Sequence, residues 1–231
     1  MKATERRAAW EALGVVEDWL AGGIRVVRAI PDFPDTSIVL PRPPSPEEGL
    51  AEIAREVEAC RACALCEKRK RAVPGQGPSR PIAMVVGEGP GAEEDERGLP
   101  FVGPAGQLLD KMLAAIGLDR ASNCYIANAV KCRPPQNRDP SPDEREACLP
   151  YLRRQIALLR PKAILCAGRV AAQSLLGATE GVGKLRGAWK SFEGTPVLVT
   201  YHPSALLRDD SYKRPAWEDL KMFRERITAE E

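Results

Sequence analysis

The order of apolar runs along the chain predicts an α/β fold, a three-layer α/β/α sandwich around a central, mainly parallel sheet of roughly four strands. Two observations carry this expectation. A short, wholly apolar run at 81–86 is followed by mainly apolar runs at 124–128, 163–166 and 196–200, as strands buried on both faces would be. Longer segments with helical spacing, at 104–116, 141–159, 170–176 and 217–228, lie between and after them, and such alternation puts helices on both faces of a parallel sheet.

The elements follow in order. Residues 5–20 carry apolar positions at helical spacing, and the proline-rich stretch from Ile30 to Pro46 reads as an extended linker, because repeated prolines remove donors and stop helices. Residues 1–49 are therefore expected to form a helical appendage with its linker, and 50–231 the main domain. Ser45 is a candidate N-cap for a helix that runs to Ala59 and delivers Cys60 at its end. The run 81–86 meets Gly87, as a buried strand entering a loop would. Sites in parallel sheets form at the carboxyl ends of strands, and Glu88, Asn128 and His202 each stand at or just past such an end.

Composition bounds the function. The 231 residues suffice for one domain plus an appendage, and 44% hydrophobic with 29% charged residues is the make-up of a globular chain. No apolar run approaches the roughly 20 residues that cross a bilayer, and Met1-Lys2-Ala3-Thr4-Glu5-Arg6-Arg7 leads into an amphipathic pattern, so a cytoplasmic protein without a membrane partner is expected. A net charge of +2 neither requires nor excludes nucleic acid. Placement says more: Lys68-Arg69-Lys70-Arg71 and the trio Lys131, Arg133 and Arg138 flank cysteines, which favours a local phosphate-binding patch over a merely solvated face.

Seven cysteines in a chain of this kind point away from disulfides and toward metal ligation or buried thiols. Cys60 and Cys63 form a C-x-x-C pair whose thiolates can reach one metal from one tight turn; Cys132 and Cys148 form a distant second pair. Four thiolates satisfy zinc or a four-iron cluster equally, and spacing does not choose between them. Cys66 could extend the first group. Cys124 and Cys166 lie in apolar strands, where a structural thiol is expected.

Between the pairs lies Gly87-Glu88-Gly89-Pro90-Gly91-Ala92-Glu93-Glu94-Asp95. It lacks the G-K-[ST] ending of a P-loop and the G-x-G-x-x-G spacing, and its carboxylates would repel phosphate. A tight turn carrying acids to a strand end suits hydrolysis, where a carboxylate orients water or stabilises a developing cation; the alternative is an acidic first helical turn. Phe101, in a Pro/Gly-bounded loop, reads as core or as a stacking surface for a planar ligand. Asn128 reads as a strand-end cap or as an amide matching the donor and acceptor edge of a pyrimidine. His202 is the sole imidazole, a loop histidine or the one candidate for histidine chemistry.

Four motifs together resemble one family. G-E-G-P-G-x-E-E-D at 87–95, P-F-V-G-P-A-G-Q-L-L-D at 100–110, Y-I-A-N-A-V-K-C-R-P-P-Q-N-R at 125–138 and Y-H-P-S-A-L-L-R at 201–208 are similar, in order and over about residues 50–228, to the family 4 uracil-DNA glycosylases. The resemblance implies that Cys60, Cys63, Cys132 and Cys148 hold a 4Fe-4S cluster and that Cys66 is not a ligand. It implies that Gly87, Glu88 and Gly89 belong to the first pocket motif, that Phe101 stacks on uracil, and that Asn128 reads the pairing edge. His202 would stand near uracil O2 and Glu94 near the attacking water.

The resemblance further implies a monomeric enzyme of base excision repair that acts on uracil-containing DNA, single- or double-stranded. A deoxyuridine is flipped out and its N-glycosidic bond hydrolysed, releasing uracil and leaving an abasic site. A related family traps the sugar through a histidine in the loop after the second strand; residues 131–138 contain none, so ordinary turnover is expected. The alternatives are a non-catalytic iron-sulfur nucleic-acid-binding protein and a zinc-clipped hydrolase acting on nucleotides.

Overall fold

The structure is a computed structural model that describes residues 3–20 and 45–229. The chain divides into two compact units, 1–43 and 44–231. In the first, α1 (Ala3–Leu20) is a helix on which Arg7 and Glu11 pair one turn apart. The expected proline-rich linker lies, up to Pro44, outside the described residues.

The second unit opens with α2 (Pro46–Ala59), whose capping box is complete: Glu48 N–H donates to Ser45 Oγ, and Ser45 N–H donates to the Glu48 carboxylate. Cys60 terminates this helix. Then follow β1 (Ala83–Gly87), α3 (Ala92–Arg97), α4 (Pro104–Ala114), β2 (Cys124–Asn128), α5 (Pro142–Leu159), β3 (Ala163–Ala167) and α6 (Arg169–Leu176). The short α7 (Val182–Leu185), β4 (Lys190–Phe192), β5 (Thr195–Thr200), α8 (Pro203–Arg208) and α9 (Lys213–Thr228) complete the domain. The four strands expected from the sequence are present. They lie parallel in the order β2-β1-β3-β5, and β4 adds a fifth, antiparallel edge strand.

β4 escapes the sequence reading because it has three residues, only one of them buried. A two-residue turn at Glu193 and Gly194, both with positive φ, joins it to β5, as hairpin turns that match strand twist require. α3 and α8 are six residues each, too short to declare a period.

Alternate strand residues face opposite layers. Val85, Ile126, Leu165 and Leu198 pack with Leu109 and Leu113 of α4 and Phe223 of α9. Met84, Val86, Ile164, Val197 and Val199 pack with Leu152 and Ile156 of α5 and Ala171 and Leu175 of α6. The result is the three-layer sandwich expected of strands apolar on both faces. Cys124 and Cys166 are fully buried within it, as structural thiols.

Two features direct the strand ends to one place. β1 has β2 on one side and β3 on the other, so the strand order reverses there, and crevices open at such a reversal. The end of β5 is pinned by α9: Thr200 Oγ1 donates to Asp219 Oδ2 (2.8 Å), and Arg186 donates to both Asp219 oxygens (3.0 and 2.8 Å). Asp219 is 0% exposed, and burial pushes its carboxyl above the usual range despite these donors. Removing it leaves Arg186 with only the Pro215 carbonyl and the Thr200 hydroxyl without its acceptor, so Asp219→Ala is expected to cost about 2–3 kcal/mol, read as a lowered urea midpoint at unchanged slope.

Candidate active site and thiol cavity

A cavity of about 580 Å³ opens at the carboxyl ends of β1, β2, β3 and β5. Glu88, Gly89, Glu94, Phe101, Asn128 and His202 all line it, together with Gly168, Arg169 and Arg208. Gly87 does not line it. It lies under the floor, where a Cβ would collide with Asn128 Oδ1 and stand 2.5 Å from Phe101 Cζ. Its contribution is an absent side chain that lets ring and amide approach each other. A Cβ on Gly89 would meet Val130 at 2.8 Å, so that turn also needs its glycine.

Asn128 ends β2 directly opposite Gly87 in the parallel register. It is 2% exposed, and its side-chain oxygen has no hydrogen-bond partner among the described residues. A buried acceptor left without a donor costs free energy, so this amide is primed for a ligand N–H. Phe101 is 6% exposed, and its ring sits 5.5 Å from the His202 ring, tilted 30°. It is at once core and cavity wall, which reconciles the two readings of its sequence.

His202 precedes α8 and caps it: Ser204 N–H donates to Nδ1 (3.1 Å), and the Ser204 hydroxyl lies 2.8 Å from the same nitrogen. With Nδ1 accepting, the neutral ring carries its proton on Nε2. Burial, aided by the Arg208 charge and opposed by Glu94, pushes the imidazole down to about 4. At neutral pH it is therefore an uncharged Nε2–H donor.

The carboxylates divide. Burial, with Asp139 nearby, raises the Glu88 carboxyl to about 7, against Arg169 and Arg208. Glu94 is different. Oε1 accepts from Val102 N–H (2.9 Å) and Gly103 N–H (3.0 Å), and Oε2 accepts from Gly91 N–H (3.1 Å). Both oxygens accept from backbone, so Glu94 braces the Phe101 loop against the first turn of α3. Asp95 is buried and accepts from Lys70 N–H (2.9 Å), the helix-turn alternative for this residue.

Cys60, Cys63, Cys132 and Cys148 line a second, small cavity with Cys66, Lys131 and Tyr151. Arg69 Nη1 donates to Cys132 Sγ (2.9 Å), Lys131 N–H to Cys148 Sγ (3.3 Å) and Ala62 N–H to Cys60 Sγ (3.5 Å). Burial raises the Cys63 and Cys132 thiols and pushes Cys148 up to about 11. Among the described residues no three Cys, His, Asp or Glu side chains converge as a single metal ion requires. The donor set still fits a cluster: the sulfurs face one cavity, and N–H donors to sulfur are what stabilise cluster thiolates.

The basic patch is corrected at two positions. Lys131 is 1% exposed, and its Nζ donates to the Asn128 carbonyl (2.9 Å) and to Gln155 Oε1 (2.7 Å). It is an internal strut, not a phosphate contact, and burial lowers its ammonium to about 8. Arg69 likewise turns inward, donating to the carbonyls of Glu58 (2.5 Å) and Cys60 (3.1 Å). The exposed cations at the cavity rim are Arg138, Arg169 and Arg208. Gly168 and Arg169, just past the end of β3, also line the cavity, where the strand-end rule applied to 163–166 places them.

Residues 74–221 match the family model described as the Uracil DNA glycosylase superfamily, which spans the sheet and every residue lining the larger cavity. The chain belongs to that superfamily. It is 42% identical over 184 residues to the type-4 uracil-DNA glycosylase of Pyrobaculum aerophilum, covering 75% of this chain and 92% of the relative. It is 40% identical over 190 residues to the type-4 uracil-DNA glycosylase of Thermotoga maritima, covering 80% and 97%. A type-5 uracil-DNA glycosylase of Pyrobaculum aerophilum is 36% identical over 153 residues, covering 59% and 67%. Within the superfamily the chain groups with the type-4 members.

Proposed function

We propose that the chain is a uracil-DNA glycosylase of base excision repair, with residues 50–231 as its catalytic domain. The observation that supports this most is the unpartnered Asn128 oxygen at the cavity floor, beside the Phe101 ring. Uracil presents an N3–H donor and an O4 acceptor side by side, and one amide matches both; cytosine presents a bare N3 and a 4-amino group. A cavity of about 580 Å³ admits a flipped nucleotide, and Arg138, Arg169 and Arg208 at its rim suit the flanking phosphates.

In this reading the extruded base stacks on Phe101 and is read by Asn128. As the N1–C1′ bond breaks, its electron pair passes into the uracil ring, and the His202 Nε2–H donates to O2, where negative charge grows. The sugar becomes oxocarbenium-like; ionised Glu88 opposes that charge and accepts a proton from the water whose oxygen bonds to C1′. Uracil and an abasic strand leave. Cys60, Cys63, Cys132 and Cys148 hold a 4Fe-4S cluster, which when bound supplies a cross-link among the end of α2, the segment after β2 and α5, since hydrolysis has no redox step. The enzyme works as a monomer in the cytoplasm; among the described residues no helix is long and apolar enough to cross a membrane.

Uracil release from single-stranded and duplex oligonucleotides tests the reading directly. Asn128→Asp replaces an N–H donor with charge and is expected to lose about 10²–10³-fold in excision; a variant as active as wild type, with its preference over cytosine intact, would overturn the assignment of Asn128. Because the Glu88 carboxyl sits near 7 and acts ionised, kcat/KM should rise with pH through about 7 and then level, while His202, neutral above about 4, adds no limb there. Glu88→Gln should abolish that limb, and its persistence would assign it elsewhere. Iron content and visible absorbance should fall on replacing Cys60, Cys63, Cys132 or Cys148 with alanine and survive Cys66→Ala; equal loss from Cys66→Ala would make it a ligand.

A further inference from the structure

Phe101 has φ 53°, a left-handed backbone that a bulky aromatic residue adopts only when its surroundings impose it. What imposes it is a clamp on both flanks. Glu94 takes the N–H groups that follow, of Val102 and Gly103. The carbonyls on the other flank accept from one guanidinium: Arg120 Nη1 to Pro100 O at 2.8 Å and Arg120 Nη2 to Phe101 O at 2.9 Å. Asp110 of α4 orients that guanidinium from behind, its Oδ1 accepting from Nε (2.8 Å) and Nη2 (2.6 Å). Gly106 leaves room for the turned peptide, since a Cβ there would collide with the Phe101 carbonyl.

Arg120 lies in the loop between α4 and β2 and does not line the cavity. We propose that it is a positioning residue for base recognition: backed by Asp110, it holds the peptide that aims the Phe101 ring at the flipped base. A planar fork presents its N–H groups to two successive carbonyls in one fixed geometry, whereas an ammonium on a flexible stem can reach both without fixing their orientation. The inference rests on the uracil-glycosylase reading and deepens it, because it assigns the strained backbone at Phe101 to binding the base and not to the bond-breaking step.

The test measures uracil release, inhibition by free uracil, and binding of an abasic-site oligonucleotide for wild type, Arg120→Gln, Phe101→Ala and the double variant. Arg120→Gln should raise KM and the uracil inhibition constant about 10- to 100-fold, as displacement of a positioned group does, with kcat less affected. Abasic DNA, which offers no base to stack on, should bind as to wild type. In the Phe101→Ala background the Arg120 substitution should add no more than about twofold. Arg120→Lys should fall between, and if Arg120→Gln does not fold, Asp110→Asn, which only loosens the guanidinium, should shift both constants in the same direction. Full additivity with Phe101→Ala, or equal weakening of abasic-DNA binding, would overturn the proposal. An inactive wild type would instead overturn the glycosylase reading and this inference with it.

Discussion

The site depends on one missing side chain. Gly87 ends β1 opposite Asn128, and the space where its Cβ would stand is the space in which the Phe101 ring and the Asn128 amide approach each other. Parallel pairing of β1 with β2 sets the amide's height, and the braced loop after α3 sets the ring's. Neither arrangement has a functional geometry without the other. The orphaned Asn128 oxygen follows: packed against a ring and a bare backbone, it has no donor among the described residues to turn to.

Lys131 joins the two cavities. Lys131 gives its backbone N–H to Cys148 and its ammonium to the carbonyl of Asn128, with Gln155 of α5 as the second acceptor. A buried ammonium with only neutral oxygen partners among the described residues is costly, and that cost is what lowers Lys131 to about 8. Thiol cavity and pocket floor are therefore parts of one packed unit. Arg69, which spans Cys132 and the end of α2, closes the same unit from outside.

Much of this was legible in one dimension. Strand runs, the helix cap at Ser45, and the strand-end placement of Glu88, Asn128 and His202 all rest on local rules, and the structure follows them. Side-chain direction is what neighbours along the chain do not encode. Lys131 and Arg69 look like surface cations in a basic run, and only packing reveals that their side chains turn inward. Glu94 sits in a row of acids that spacing cannot separate. Its three amide donors come from residues three to nine positions away, through a loop that doubles back.

By itself the sequence determined the layer order, the parallel strands, the donor types and the family to which they belong, because periodicity, capping and motif order are properties of neighbours along the chain. The tertiary structure alone decided which carboxylate stays near the cavity with its proton affinity raised, which tautomer His202 holds, and that an arginine outside the pocket restrains the ring within it. Those depend on burial and on contacts between distant segments, such as Arg120 with the carbonyls of residues 100 and 101. Desolvation and strain arise only when separate stretches of chain exclude water from the same place.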